Sequence, residues 1–125
     1  MLRLLFVLAV VVSTIGYRKA AFADEFLASD LYDYCVDESS QARQAACKFF
    51  ILGIVQGMRS QLGPNGTFVK SHAICAPEDE TTDELRLMVI RLLKSDFDHF
   101  PEDRKLGAGA SVGGILFNQY PCKLR

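Results

Sequence analysis

Four cysteines within residues 24–125, Cys35, Cys47, Cys75 and Cys122, constrain this chain more than any other feature. They follow an N-terminus built like an export leader. Arg3 supplies a positive start, Leu4 to Val12 is unbroken apolar sequence, and Ala21-Phe22-Ala23 has the small-x-small form that signal peptidase cuts. The apolar run reaches Ile15 at most, well short of the roughly 20 residues a membrane-spanning helix needs. Cleavage after Ala23 makes residues 1–23 a signal peptide and residues 24–125 a single mature domain. Arg18 and Lys19 sit between the apolar run and the cut, where uncharged residues are more usual, and a retained leader acting as an anchor is the alternative. In an exported domain of this size an even set of cysteines reads as two disulfides. Three pairings remain open.

The leader holds Arg3, Arg18 and Lys19 of the 14 basic residues and none of the 15 acidic ones, so the mature chain carries a net charge of about −4. That balance argues against nucleic acid, and against an anionic membrane surface once the leader is gone. There is no tryptophan, no repeat and no Pro/Gly/Ser linker. About a hundred residues suffice for one core. A zinc site needs two close ligand pairs, and only His72-x-x-Cys75 offers one.

Helical periodicity dominates the mature chain. Ser29 is placed to cap a short helix from Asp30 to Val36, with Leu31 and Cys35 on one face. A second helix, about Gln41 to Ser60, puts Ala46, Phe50, Ile54 and Met58 on one stripe, broadened by Phe49, Ile51, Leu52 and Val55. Gly63-Pro64-Asn65-Gly66 forces a turn, and a loop follows to Pro77, with Thr67-Phe68-Val69 as a short extended piece. Thr81 and Glu84 form a capping box that opens a third helix, whose buried stripe is Leu85, Met88, Val89, Leu92 and Leu93 while Arg86, Arg91 and Lys94 face water. After a break at Pro101, a last helix covers about Leu106 to Gln119 despite Gly107, Gly109, Gly113 and Gly114. Glycine costs about 1 kcal/mol against alanine inside a helix. Gly109 and Gly113 are four apart, as are Gly53 and Gly57, which suggests two bare strips facing each other; fraying of the last helix is the alternative. The expected fold is a small all-α bundle of about four helices stabilised by disulfides.

Catalytic constellations are missing from the pattern. Neither His72 nor His99 sits in a motif, and cysteines paired as disulfides cannot act as nucleophiles. Ser111 lies in Gly-Ala-Ser-Val-Gly, which lacks nucleophile-elbow spacing, and Gly107 to Gly114 has no following Lys-Ser/Thr to cradle phosphate. Glu78-Asp79-Glu80 reads as a solvated turn that favours the helix dipole. The chain reads as a non-enzyme that uses no cofactor or metal.

The ordered set Leu31-Tyr32-x-Tyr34-Cys35, Cys47-x-Phe49-x-x-Gly53-x-x-x-Gly57, Ile74-Cys75-x-Pro77 and Tyr120-Pro121-Cys122 resembles the Rap/Tai family of periplasmic immunity proteins. The resemblance runs from about Phe26 to Cys122. The last helix is richer in glycine, and the segment from Asp96 to Lys105 more charged, than that family's usual pattern. The resemblance implies a periplasmic, all-helical, disulfide-held inhibitor that often dimerises. Its implied partner is an exported peptidoglycan amidase effector delivered by type VI secretion, neutralised by occlusion of its active-site cleft. The pairing favoured is Cys35–Cys47, tying the first helix to its neighbour, with Cys75–Cys122 fastening the C-terminus to the loop before the third helix. The loop from Gln61 to Ala73 is the expected contact element, with Phe68, Val69, Lys70 and His72 as partner-binding residues. A small acid-stress chaperone, or an envelope binding protein with no toxin partner, are the competing roles.

Overall fold

The computed structural model describes residues 25–60 and 73–122. Its elements are four helices, α1 (Ala28–Val36), α2 (Gln41–Arg59), α3 (Thr82–His99) and α4 (Ala108–Gln119), with a 3-10 turn at Pro101–Lys105 between the last two. Every helix touches the other three. One apolar cluster joins them all, and among the described residues no polar side chain is buried within it. The leader lies outside the described residues, so the proposed cleavage after Ala23 has no structural counterpart.

The first helix starts two residues before its expected position. Ser29 lies inside the helix, and the Asp30 carboxylate instead accepts from the Leu27 N–H at 3.0 Å. The earlier start has a tertiary cause. Leu27 forms an antiparallel bridge with Gly107, in which the Ala28 N–H donates to Leu106 O and the Ala108 N–H to Phe26 O, both at 2.8 Å. The entries to α1 and α4 are thereby stitched together. A Cβ at position 107 would meet only the exposed Glu25 carboxylate, which can swing aside, so the bridge does not depend on glycine there.

Asp37 ends α1 and organises the turn into α2. Its carboxylate accepts from the Ser39 N–H at 3.0 Å and from Arg43 Nη1 at 3.2 Å. The Ser39 bonds are the main reason its carboxyl lies below the ordinary aspartate range, with Arg43 adding to the effect. Ser40 then caps α2, its Oγ accepting from the Arg43 N–H.

The rotation of α2 differs from the expected stripe. The buried residues are Cys47, Ile51, Val55 and Met58, while Ala46 is exposed, Phe50 and Ile54 are half-buried, and Phe49 is 71% exposed. The Cys35–Cys47 disulfide, with Cα atoms 5.2 Å apart, turns position 47 toward α1 and carries the rest of the helix with it. Arg86 also departs from expectation. Instead of facing water it reaches across the bundle, where Nη1 donates to Cys35 O at 3.1 Å and ties α3 to the end of α1.

The capping box at Thr81 is present in full: the Glu84 N–H donates to Thr81 Oγ1 at 3.2 Å and the Thr81 N–H to Glu84 Oε2 at 2.8 Å. The buried stripe of α3 is Leu85, Val89, Leu93 and Phe97, with Met88 and Leu92 half-buried at its margin. Lys48 of α2 pairs with Asp83 at 2.7 Å and holds the first turn of α3 against α2. Pro101 breaks the helix and starts the 3-10 turn, and the Arg104 guanidinium folds back over the Phe97 ring, 4.6 Å from its centre.

The glycine-rich segment is helical from Ala108 to Gln119, with Val112 and Leu116 fully buried. The two glycine strips do not face each other. Gly53 and Gly57 border open space, whereas positions 109 and 113 meet the Ile54 Cδ1 and Met58 Sδ atoms of α2. Side chains of α2 rest on the bare surface of α4, so the close approach is one-sided. Residues 73–76 return beside the C-terminus: Ile74 bridges to Pro121, the Cys75 N–H donates to Tyr120 O at 3.0 Å, and Cys75–Cys122 closes the joint.

Candidate functional site

The outward face of α2 is charge-free over most of its length. Ala42, Ala46, Phe49, Gly53 and Gly57 recur at helical spacing and are all exposed. The charged residues of that helix lie elsewhere: Arg43 stacks on Tyr34 and pairs with Asp37, Lys48 pairs with Asp83, and Arg59 reaches the carbonyls of Ala76 and Pro77. Beside this face runs a groove of about 670 Å³ between α2 and α4. Ile54, Met58 and Phe117 wall it, and Gly109 and Gly113 form its floor. Phe49 and Phe117 are 71% and 43% exposed. Large exposed apolar groups of this kind are more frequent at protein-binding surfaces than on the rest of a protein's surface.

A second depression, of about 420 Å³, has the opposite character. Pro77, Asp79, Glu80, Glu84 and Tyr120 line it. The Tyr120 hydroxyl donates to Glu80 Oε2. Burial first, and then that hydrogen bond, push the phenol above its usual value. The Glu84 carboxyl is held low by the Thr81 N–H and hydroxyl. These groups are engaged in capping and in securing the C-terminus, and no base faces a nucleophile. His99 is equally local, its Nδ1 lying 2.7 Å from Ser95 O on its own helix. Among the described residues no group of three or more His, Cys, Asp or Glu is arranged to hold a metal.

Phe68, Val69, Lys70 and His72 lie outside the described residues, as does the extended piece expected at residues 67–69. All four cysteines are paired as favoured, Cys35 with Cys47 and Cys75 with Cys122. The exposed face of α2 was not anticipated. Its signal is the spacing of Ala42, Ala46, Phe49, Gly53 and Gly57, which the sequence masks by placing Phe49 within a broad apolar surface.

No curated protein and no solved structure is significantly similar to the chain. A family model of Rap1a immunity proteins matches residues 27–122. The matched span opens at Leu27, the residue bridged to Gly107, and closes at Cys122, the last disulfide half. It takes in all four helices and both disulfides. The chain therefore belongs to the Rap1a immunity protein family.

Proposed function

We propose that this protein binds and neutralises an exported peptidoglycan amidase effector of a type VI secretion system by occluding its active-site cleft. The family match over residues 27–122 is the observation that carries this reading, because an immunity protein acts on a protein partner. Two disulfides suit an oxidising compartment, in keeping with removal of residues 1–23 and action in the periplasm. Among the described residues no helix is long and apolar enough to cross a membrane.

The contact surface proposed is the charge-free face of α2 with its groove against α4. Phe49 is the anchor, since an exposed aromatic contributes little to folding and much to a desolvated interface. Phe68, Val69, Lys70 and His72 are the second candidate element. Both are tested by titrating the mature protein against the purified amidase. Phe49→Glu is expected to weaken binding by at least about 30-fold, the range of an interface anchor, with no fall in melting temperature. Phe68→Ala with Lys70→Glu tests the loop in the same assay. If neither variant changes affinity, both surfaces are wrong.

The same exposed aromatics suit a client-binding chaperone. That role predicts aggregation suppression that grows near pH 3, instead of stoichiometric inhibition of one amidase. A homodimer through the α2 face is the other occupant to measure. Sedimentation of wild type and Phe49→Glu distinguishes it, because only a dimer built on this face dissociates in the variant.

A further inference from the structure

The two disulfides occupy opposite environments. Cys35 and Cys47 are each 1% exposed, sealed in the contact between α1 and α2 beneath the Arg86 bond to Cys35 O. Cys75 is exposed and Cys122 only half-buried, outside the helices. Thiol–disulfide exchange requires a thiolate to reach a sulfur in line, so access governs which bond reacts first.

The exposed bond also closes a distinct joint. It links residues 73–76 to the C-terminal arm Tyr120–Cys122, already held by the Ile74–Pro121 bridge and by the Tyr120 hydroxyl on Glu80. None of the helix-packing residues of α4, Ala108, Val112, Ile115 and Leu116, belongs to this joint. Ile74 and Ala76, on either side of Cys75, are packed in the apolar core, so this segment is anchored by burial as well as by the disulfide.

We propose that Cys75–Cys122 is a redox-labile clasp, opened by a dithiol reductant while Cys35–Cys47 and the four-helix core remain closed. One thiolate of the dithiol attacks Cys75 Sγ, the sulfur–sulfur bond breaks, and Cys122 leaves as a thiolate that takes up a proton. The second thiol of the reductant, after losing its proton, attacks its own partner sulfur in the mixed disulfide and releases Cys75, which is protonated in turn. The dithiol ends as a cyclic disulfide, and two electrons and two protons have passed to the protein. The arm from Tyr120 to Cys122 is then held to residues 73–76 by non-covalent contacts alone, so its attachment there depends on the reducing power of the surroundings.

The experiment is native reduction of the mature protein with limiting dithiothreitol. Freed thiols are trapped by alkylation, assigned by peptide mass spectrometry, and followed alongside far-ultraviolet circular dichroism. Cys75 and Cys122 are expected to be labelled together at least about tenfold faster than Cys35 and Cys47, with the helical signal unchanged. Labelling of both pairs at one rate, or loss of helix with the first pair, overturns the proposal. A Cys75→Ala, Cys122→Ala variant provides the independent check. It is expected to keep the helical spectrum and to retain a remaining disulfide that resists the same reductant. An unfolded variant, or one whose Cys35–Cys47 bond opens as fast as the clasp, contradicts it.

Discussion

The two faces of α2 share one backbone and face opposite demands. Its inner face carries Cys47, Ile51 and Val55, each at most 1% exposed, in a helix that packs against α1, α3 and α4. Its outer face carries Ala42, Ala46, Phe49, Gly53 and Gly57, which touch little and carry no charge. A helix that only had to be stable and soluble would place alanine, lysine or glutamate at the outer positions. Retaining two glycines and a bare phenylalanine there sacrifices helix stability for a flat, uncharged surface. On the binding role proposed for the outer face, folding and binding fall on opposite sides of a single element, and substitutions on the two faces should have separable effects.

The strongest way to break that separation is on the inner face. Ile51→Ala removes a fully buried side chain and is expected to cost about 2–5 kcal/mol, read as a lower urea midpoint. Its effect on partner affinity per folded molecule should be small, the reverse of Phe49→Glu. Loss of affinity in the folded fraction of Ile51→Ala would show that the two faces are coupled.

The outer glycines sharpen the comparison with a smaller effect of opposite sign. A Cβ at position 53 or 57 meets nothing, so Gly53→Ala and Gly57→Ala should each stabilise by about 0.5–1 kcal/mol. Thermal melts of the single and double variants check this. If the face binds a partner closely, the same variants should weaken binding while raising the melting temperature. Destabilisation by either change would mean that the outer face packs within the molecule after all.

The smallest effect concerns the acidic groups that organise the helix ends instead of α2's outer face. The carboxyls of Asp37, Asp83, Glu84 and Asp98 are lowered, chiefly by Ser39, Lys48, Thr81 and Lys94 respectively. A carboxyl depressed in the folded state contributes stability above its unfolded pKa and loses it as pH falls through the folded value. Stability should therefore be flat near neutrality and decline modestly below about pH 4, because these groups are solvent-exposed and their pairs are screened. Melting temperatures between pH 7 and pH 3 measure the decline, and it should be the same in wild type and Phe49→Glu. Increased stability on acidification would contradict these capping roles.

Helix number, the Thr81–Glu84 capping box and the break at Pro101 were legible because each depends on residues within one or two turns of each other. The early start of α1 was not, because its cause is a bridge to Gly107, far along the chain. Arg86 illustrates the same limit: its spacing on α3 looked solvent-facing, yet its long side chain ends on the Cys35 carbonyl. The candidate binding surface was obscured for a related reason. Around α2, apolar residues cover more than half the circumference, so several rotations bury a plausible stripe.

By itself the sequence determined an all-helical chain with four cysteines, the local signals that start and stop its helices, and a composition without catalytic constellations, since these follow from periodicity and short-range chemistry. Only the tertiary structure decided which face of α2 is inside and which glycines receive side chains. The Cys35–Cys47 bond and the seating of Ile54 and Met58 on α4 make that choice. Packing selects one rotation from several that local sequence leaves nearly equal, and that selection exposes Phe49.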